Sequence, residues 1–385
     1  MSSADVTPAA AHPIQALDHC RLCGGALERV LDLGQQPACD HFPLVEAPRP
    51  DPTWPLALAM CLRCALVQLD HASPPEEAAL AVQSATMKRH AQEVTARLYR
   101  RLELGTSPRV REFSSHHGGS WIEAFTAAGA LSVHERADVV IDNQAIIHSE
   151  QPDAALARRV AALADDGVLV VEFHHAARQL REAQFDTVRH GHPLYFSLHS
   201  WAAACARHDL VVVDAWSEEV FGGCLIAVAR RRGSPSAAVT RILEQERSAG
   251  ATTPQGYAQL GEDTRRVCDD LVATLTEARR RGRTVAGYGA GSKSCTLLGV
   301  AGIGPDLLPF TADLSPAKHG RRIPGAGIPI VAPEELIRRA PETVVILTWD
   351  IAAEVIHQLR SGGLDATFVI PQPTLRMVTP GQSVD

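Results

Sequence analysis

No stretch of this 385-residue chain is apolar for long enough to cross a bilayer. Its longest runs, such as GVLVVEF at 167–173, are only strand-length. It also has no surplus of positive charge: 37 Lys and Arg against 44 Asp and Glu give a net charge of −7. A phosphate backbone needs basic residues in excess on one face, so the composition excludes a nucleic-acid binder but not a small anion held by a few local cations. The first 17 residues lack the basic start and apolar centre of an export signal and are expected to form a flexible tail. With no such signal, the nine cysteines point to a reducing compartment, hence a cytoplasmic protein, with metal or buried thiol expected before disulfide.

Among those cysteines two pairs stand out, CRLC (Cys20, Cys23) and CLRC (Cys61, Cys64), 37 residues apart. Four thiolates in paired spacing close a tetrahedral shell around zinc and leave no open position, so the expected zinc is structural. The intervening residues, including RVLDLGQQPACDHF, are expected to build a small β-rich lobe over 18–72, with Cys39 a bystander.

Beyond the lobe, a polar helical stretch at 84–104 is followed by alternating strand and helix patterns. Strands are expected at 109–113, 130–135, 137–143 and 167–173, with helices at 121–129 and 152–164. Two further strands, 208–217 and 223–231, read as an antiparallel edge. After RRRGSPSAAV the pattern restarts with a long helix at 254–281, a glycine-rich strand–turn–helix at 284–303, and strands at 307–314, 328–333 and 343–349. The fold class is therefore α/β: two doubly wound Rossmann-like domains, a shortened central one at 73–232 and a carboxy-terminal one at 233–385, behind the small zinc-binding lobe. Ligands of such sheets bind outside the carboxyl ends of the strands.

The motifs CRLC…CLRC, FDTVRHGHPLYFSL, FGGCLIAVA, GYGAGSK and ADLSPAKHGRRIPGAGIPIVAPEEL resemble the deoxysugar C-methyltransferases, over about residues 18–370. The resemblance implies a zinc lobe, a central domain for S-adenosylmethionine and a rear domain holding the nucleotide of a TDP-sugar. For the rear domain it implies substrate-binding roles at Tyr288, Gly289, Lys293, Asp313, Lys318, Gly320 and Trp349. From the central domain it adds Tyr195, Phe196, Gly222 and Gly223. It implies His192 as general base, and His190 lies beside it.

The central domain departs from that family in a cluster. In the methyl-donor turn Glu112 survives, but Ser114 stands at the first glycine and His116–His117 at an Asn–Asp pair, ahead of Gly118 and Gly119. The family's Tyr-His-Glu-His reads Arg189, His190, Gly191, His192. Only Arg136 separates the strand expected to end at Glu135 from the one starting at Ala137, whereas a parallel crossover needs a dozen residues or more, so part of the usual sheet is missing. A helix amino terminus after Gly118–Gly119 suits a pyrophosphate and offers a sulfonium nothing. Glu135 and Arg136 suit a ribose hydroxyl and a 2′-phosphate.

The expectation drawn from these departures is an NAD(P)H-dependent 4-ketoreductase acting on a TDP-linked 4-keto-deoxysugar. His192 or His190 would be its acid, and Glu112, His117, Gly118, Gly119, Glu135 and Arg136 would hold the NADPH or NADH. The alternative is an S-adenosylmethionine-dependent C-3-methyltransferase; an epimerase and a non-catalytic helper stand behind it. His174 and His175 are expected to satisfy backbone carbonyls, and Asp186 to orient its loop.

Overall fold

The computed structural model describes residues 15–74, 84–114 and 119–383. Three sheets organise them. The first is antiparallel and holds the amino-terminal lobe. Leu27–Gln36 pairs with Trp54–Cys61, which pairs with Val67–Leu69. Its fourth strand comes from more than a hundred residues away: Leu194–Tyr195 pairs with Val67–Leu69, setting Tyr195 opposite Val67. Residues expected in the flexible tail reach this lobe too, because Leu17 N–H donates to Asp70 O at 2.8 Å.

The second sheet runs in the order Leu131–Ser132, Arg109–Ser114, Ala137–Asn143, Leu163–His174, Cys224–Arg230, Val211–Glu218. The first four strands are parallel and the last two antiparallel, as the apolar runs imply. Its central strands are buried on both faces, which is why they read as continuous Val, Leu and Ile. The strand expected at 130–135 is only the stub Leu131–Ser132, paired with Arg109 and Val110. From there the chain reaches Ala137, on the far side of Arg109–Ser114, in four residues. It can do so only by crossing the start of that strand, so residues 133–136 lie at the amino end of the sheet.

The third sheet runs Ile330–Val331, Thr311–Ala312, Val285–Tyr288, Thr343–Ile346, Thr367–Ile370, Arg376–Val378, and is parallel except for its last strand. The helix Pro254–Arg280 buries Tyr257, Leu260, Thr264, Val267, Cys268, Leu271 and Leu275, a three-to-four spacing that keeps one face apolar. That face joins Leu31 and Leu33 of the lobe, Phe185 and Val188 of the central segment and Leu297 and Leu298 of the rear domain in one core. The helix Ala237–Ser248, absent from the sequence reading, packs beside Val211–Glu218.

An ion pair on the fully buried Arg322 locks lobe to rear domain. The Arg322 guanidinium grips both oxygens of Asp51, one at 2.7 Å, and donates to Pro48 O at 3.2 Å. Removing one partner leaves a desolvated charge. Arg322→Met is therefore expected to cost about 3 kcal/mol, read as a lower urea midpoint by tryptophan fluorescence.

Candidate functional site

The carboxyl ends of the second and third sheets face each other across a cavity of about 260 Å³. From the central sheet come Asn143, Gln144 and His174. From the rear sheet come the turn Gly291–Ser294 and the segment around Thr348 and Asp350. The loop bearing Thr187, Arg189 and His192 closes one side, and Phe221 another. Gln144 and Phe221 both carry positive φ, 55° and 57°, backbone strain of the kind stored at functional sites.

His192 sits among imidazoles. The His148 ring lies edge-on at 4.7 Å and the His174 ring at 5.8 Å, centroid to centroid. Burial, with the Lys293 and Arg189 cations, pulls His174 down to about 3, so it stays neutral. His174 faces the cavity instead of a carbonyl, contrary to expectation. Arg189 donates from Nη2 to His192 Nε2 at 2.5 Å and from Nη1 to the Ser292 hydroxyl, which donates to Asp40 at 2.9 Å.

His190 turns the other way. Its Nε2 meets Pro55 O at 3.1 Å and its ring packs edge-on to Trp54, so it anchors the loop to the lobe and does not reach the cavity. Burial lowers its pKa. The sequence pairing of His190 with His192 is corrected accordingly. Tyr195 supports the same loop: its hydroxyl accepts from Arg189 N at 3.0 Å. Phe196 belongs to the core, against Phe173 and Trp201.

Behind Gln144, at the carboxyl end of its strand, Glu172 is fully buried and accepts from Gln144 Nε2 at 3.2 Å and pairs with His90 Nε2 at 2.6 Å. Burial works against a charged His90, but the Glu172 carboxylate outweighs it and raises the imidazole above its ordinary value.

The residues assigned to a nicotinamide cofactor do not converge. Arg136 donates to Leu163 O at 2.8 Å and to Asp165 at 2.6 Å, at the start of the strand whose other end carries His174. Arg136 and its neighbour Glu135 therefore lie across the sheet from the cavity. Glu112 is occupied locally, accepting from the Ser120 hydroxyl and from Trp121 N at 2.7 Å, with Ile122 N bonded to Ser120. Burial pushes its carboxyl up. The helix after the turn, Ile122–Ala127, is only six residues long, and these bonds engage the Trp121 and Ile122 amides at its start. Gly119 O accepts from Asn143 Nδ2 at 2.6 Å. His117 and Gly118 lie outside the described residues.

In the rear domain Lys293 faces the cavity but is engaged, donating to Phe221 O at 2.9 Å and Asp350 at 3.0 Å, above the Trp349 ring. Trp349 donates its indole N–H to buried Asp186 at 2.7 Å. A Cβ on Gly222 would stand 2.6 Å from that ring, and Gly222 and Gly223 both need positive φ. Asp313 accepts from Ala290 N at 2.8 Å and Ser315 N at 2.9 Å, and Lys318 donates to Ala290 O at 2.8 Å. Both brace the Gly289–Gly291 turn from behind; Tyr288 is buried just before it, whereas Gly320 pairs instead with Ile330 and Val45 through its backbone. The sequence missed His148, Thr348, Asp350, Ser292 and Asp40; hydroxyls and acids on separate loops carry no common spacing.

The four lobe cysteines bring their sulfurs within 4.8 Å of one another, with pairs at 3.4, 3.5 and 3.7 Å. Tetrahedral Zn–S bonds of about 2.3 Å put sulfurs roughly 3.8 Å apart, so the cluster fits that ion.

Three family domains match this chain in order: a zinc binding domain over residues 20–78, a methyltransferase domain over 87–215 and a C-methyltransferase C-terminal domain over 219–373. Of the curated proteins, the C-methyltransferase NovU of Streptomyces niveus is 28% identical, with 95% of this chain and 98% of that protein aligned. Solved structures with some likeness include the 1,6-didemethyltoxoflavin-N1-methyltransferase of Burkholderia thailandensis, at 15% identity, 44% of this chain, 96% of that chain and a TM-score of 0.29. The N-methyltransferase NodS of Bradyrhizobium japonicum stands at 14%, 38%, 88% and 0.28. The resemblance to deoxysugar C-methyltransferases is borne out. The ketoreductase reading and its NADPH or NADH are overturned by the methyltransferase matches, and Glu135 and Arg136 face the wrong end of the sheet for it. Among the described residues no helix is long and apolar enough to cross a membrane.

Two outcomes are expected. Purified protein should carry one zinc per chain by elemental analysis, and Cys61→Ser should lose it. Burial raises the Asp186 carboxyl to about 6. Its folded-state pKa thus exceeds the unfolded value of about 4, so the group costs stability as pH rises from about 4 through 6 and costs none below. Trp349, bonded to it, should report a fluorescence step near pH 6 that Asp186→Asn removes.

Proposed function

We propose that this chain is an S-adenosylmethionine-dependent C-methyltransferase that alkylates a ring carbon beside the ketone of a TDP-linked 4-keto-deoxysugar. The observation that carries this is His192, the cavity-facing imidazole between the carboxyl ends of two α/β sheets, in a chain matched by methyltransferase and C-methyltransferase domains. In this reading residues 18–72 hold zinc, 73–232 the methyl donor and 233–385 the nucleotide sugar.

The donor set at the central sheet suits a cation with hydrogen-bonding groups: the Asn143 and Gln144 amides face the cavity, with buried Glu172 behind them. These residues would hold the donor's methionine end, and the bound donor supplies an electrophilic methyl group. Neutral His174 borders it without adding positive charge. On the opposite wall the Gly289–Gly291 turn, braced by Asp313 and Lys318, presents Ser292 and Lys293 to the sugar diphosphate. Tyr288 and Trp349 back that wall, and Gly222 and Gly223 let the Phe221 turn approach it. Tyr195 holds the catalytic loop from the lobe side. His192 takes the α-proton, since an imidazole titrates near the working pH. The closed cysteine shell has no coordination position for substrate, so the zinc is structural.

Incubation with the TDP-4-keto-deoxysugar and S-adenosylmethionine should add one methyl group to the sugar by mass spectrometry, with NADPH absorbance unchanged. His192→Gln should slow transfer about a hundredfold while TDP affinity stays within about threefold. Absence of a methylated sugar with wild-type protein would rule the reading out.

A further inference from the structure

Three arginines are buried among the described residues, and two of them hydrogen-bond a carboxylate directly: Arg159 grips Asp142, and Arg322 grips Asp51. Arg189 does not. Its ion pair with Asp40 is loose, with Oδ2 standing 3.8 Å from Nη1, beyond hydrogen-bond reach. Its hydrogen bonds run to neutral groups, the Ser292 hydroxyl and His192 Nε2, and its Nε has no hydrogen-bond partner among the described residues. A buried charge left this way is costly unless something else neutralises it. The other carboxylate of the cavity offers no relief, because Asp350 is already engaged by Lys293.

The bond to His192 raises a second point. In that contact Nε2 is the acceptor, so its lone pair is occupied by the guanidinium. An imidazole nitrogen in that condition takes no proton from carbon until the guanidinium moves. A ligand oxygen that gains negative charge in the same cavity would meet both demands, giving Arg189 an anion and releasing Nε2.

Building on the methyltransferase reading above, we infer that Arg189 binds the ketone oxygen of the sugar, holds the enolate charge and by that contact uncovers His192. The α C–H bond breaks and its electron pair forms the carbon–carbon double bond. The carbonyl π pair moves onto oxygen, which becomes the anion held by the guanidinium, and the proton goes to His192 Nε2. Arg189 thus couples substrate arrival to the availability of the base.

The test uses the full-length protein with a TDP-4-keto-6-deoxysugar in deuterated water. Exchange at the α-carbon is followed by NMR, methyl transfer by mass, and TDP affinity by calorimetry. Arg189→Gln is expected to lower both exchange and kcat about a hundredfold, the scale of a lost oxyanion donor, with TDP affinity within about threefold. Arg189→Lys, which keeps the charge, is expected to recover part of both rates. Exchange and transfer at the wild-type rate in Arg189→Gln would overturn the inference alone. Equal losses in TDP affinity and rate would overturn it too, making Arg189 a diphosphate clamp. Wild-type protein that neither exchanges deuterium nor transfers methyl would defeat the methyltransferase reading, and this inference with it.

Discussion

The site depends on a two-residue join. Leu194–Tyr195 adds itself to the sheet of the cysteine lobe, and the residues just before it are tied down on the same side. Leu69 N bonds to Pro193 O, the Ser73 hydroxyl to His190 O, and the His190 ring to Pro55 O. His192 is therefore positioned by a strand register that the lobe sets. A metal held by the four cysteines would order this sheet and, through it, the place of the His192 imidazole. Preorganisation of this kind needs rigid support, because loss of geometry costs rate even when every side chain is present.

Much of this was legible in the amino acids, for identifiable reasons. Paired cysteines announce a metal because both members of a pair come from one turn. Buried parallel strands announce themselves because burial on two faces leaves only apolar residues. Cys224–Arg230 and Val211–Glu218 were expected as an antiparallel edge and form one. The failures share a cause as well. ALSVHE reads as a six-residue strand, but its neighbour across the sheet begins at Ala137, and that tertiary demand shortens it to two residues and sends Glu135 to the opposite end. His190 and His192 look equivalent in RHGH, yet they flank a tight turn in which His192 N bonds to Arg189 O, so one ring enters the lobe and the other the cavity.

The departures from the family pattern read differently once the residues are in space. Glu112 ties its strand to the entry of the next helix by accepting from the Ser120 hydroxyl and Trp121 N. Arg189 at the tyrosine position replaces a neutral donor with a charged one beside His192, and the geometry connects that change to Ser292 and Asp40 in two other parts of the chain. The ketoreductase reading took each substitution in isolation and missed the contacts that Arg189 makes.

The core that runs unbroken from Leu31 through Phe185 and Val188 to Leu297 has a consequence for recombination. The chain reads as three consecutive blocks, which invites building hybrids by cutting near residues 73 and 233. Such cuts would part Leu194–Tyr195 from the sheet it completes and Arg322 from Asp51. The unit of inheritance here is spatial: a transplanted front lobe has to bring along the loop that carries His192 and the rear-domain loop that carries Arg322, or receive surfaces shaped to both.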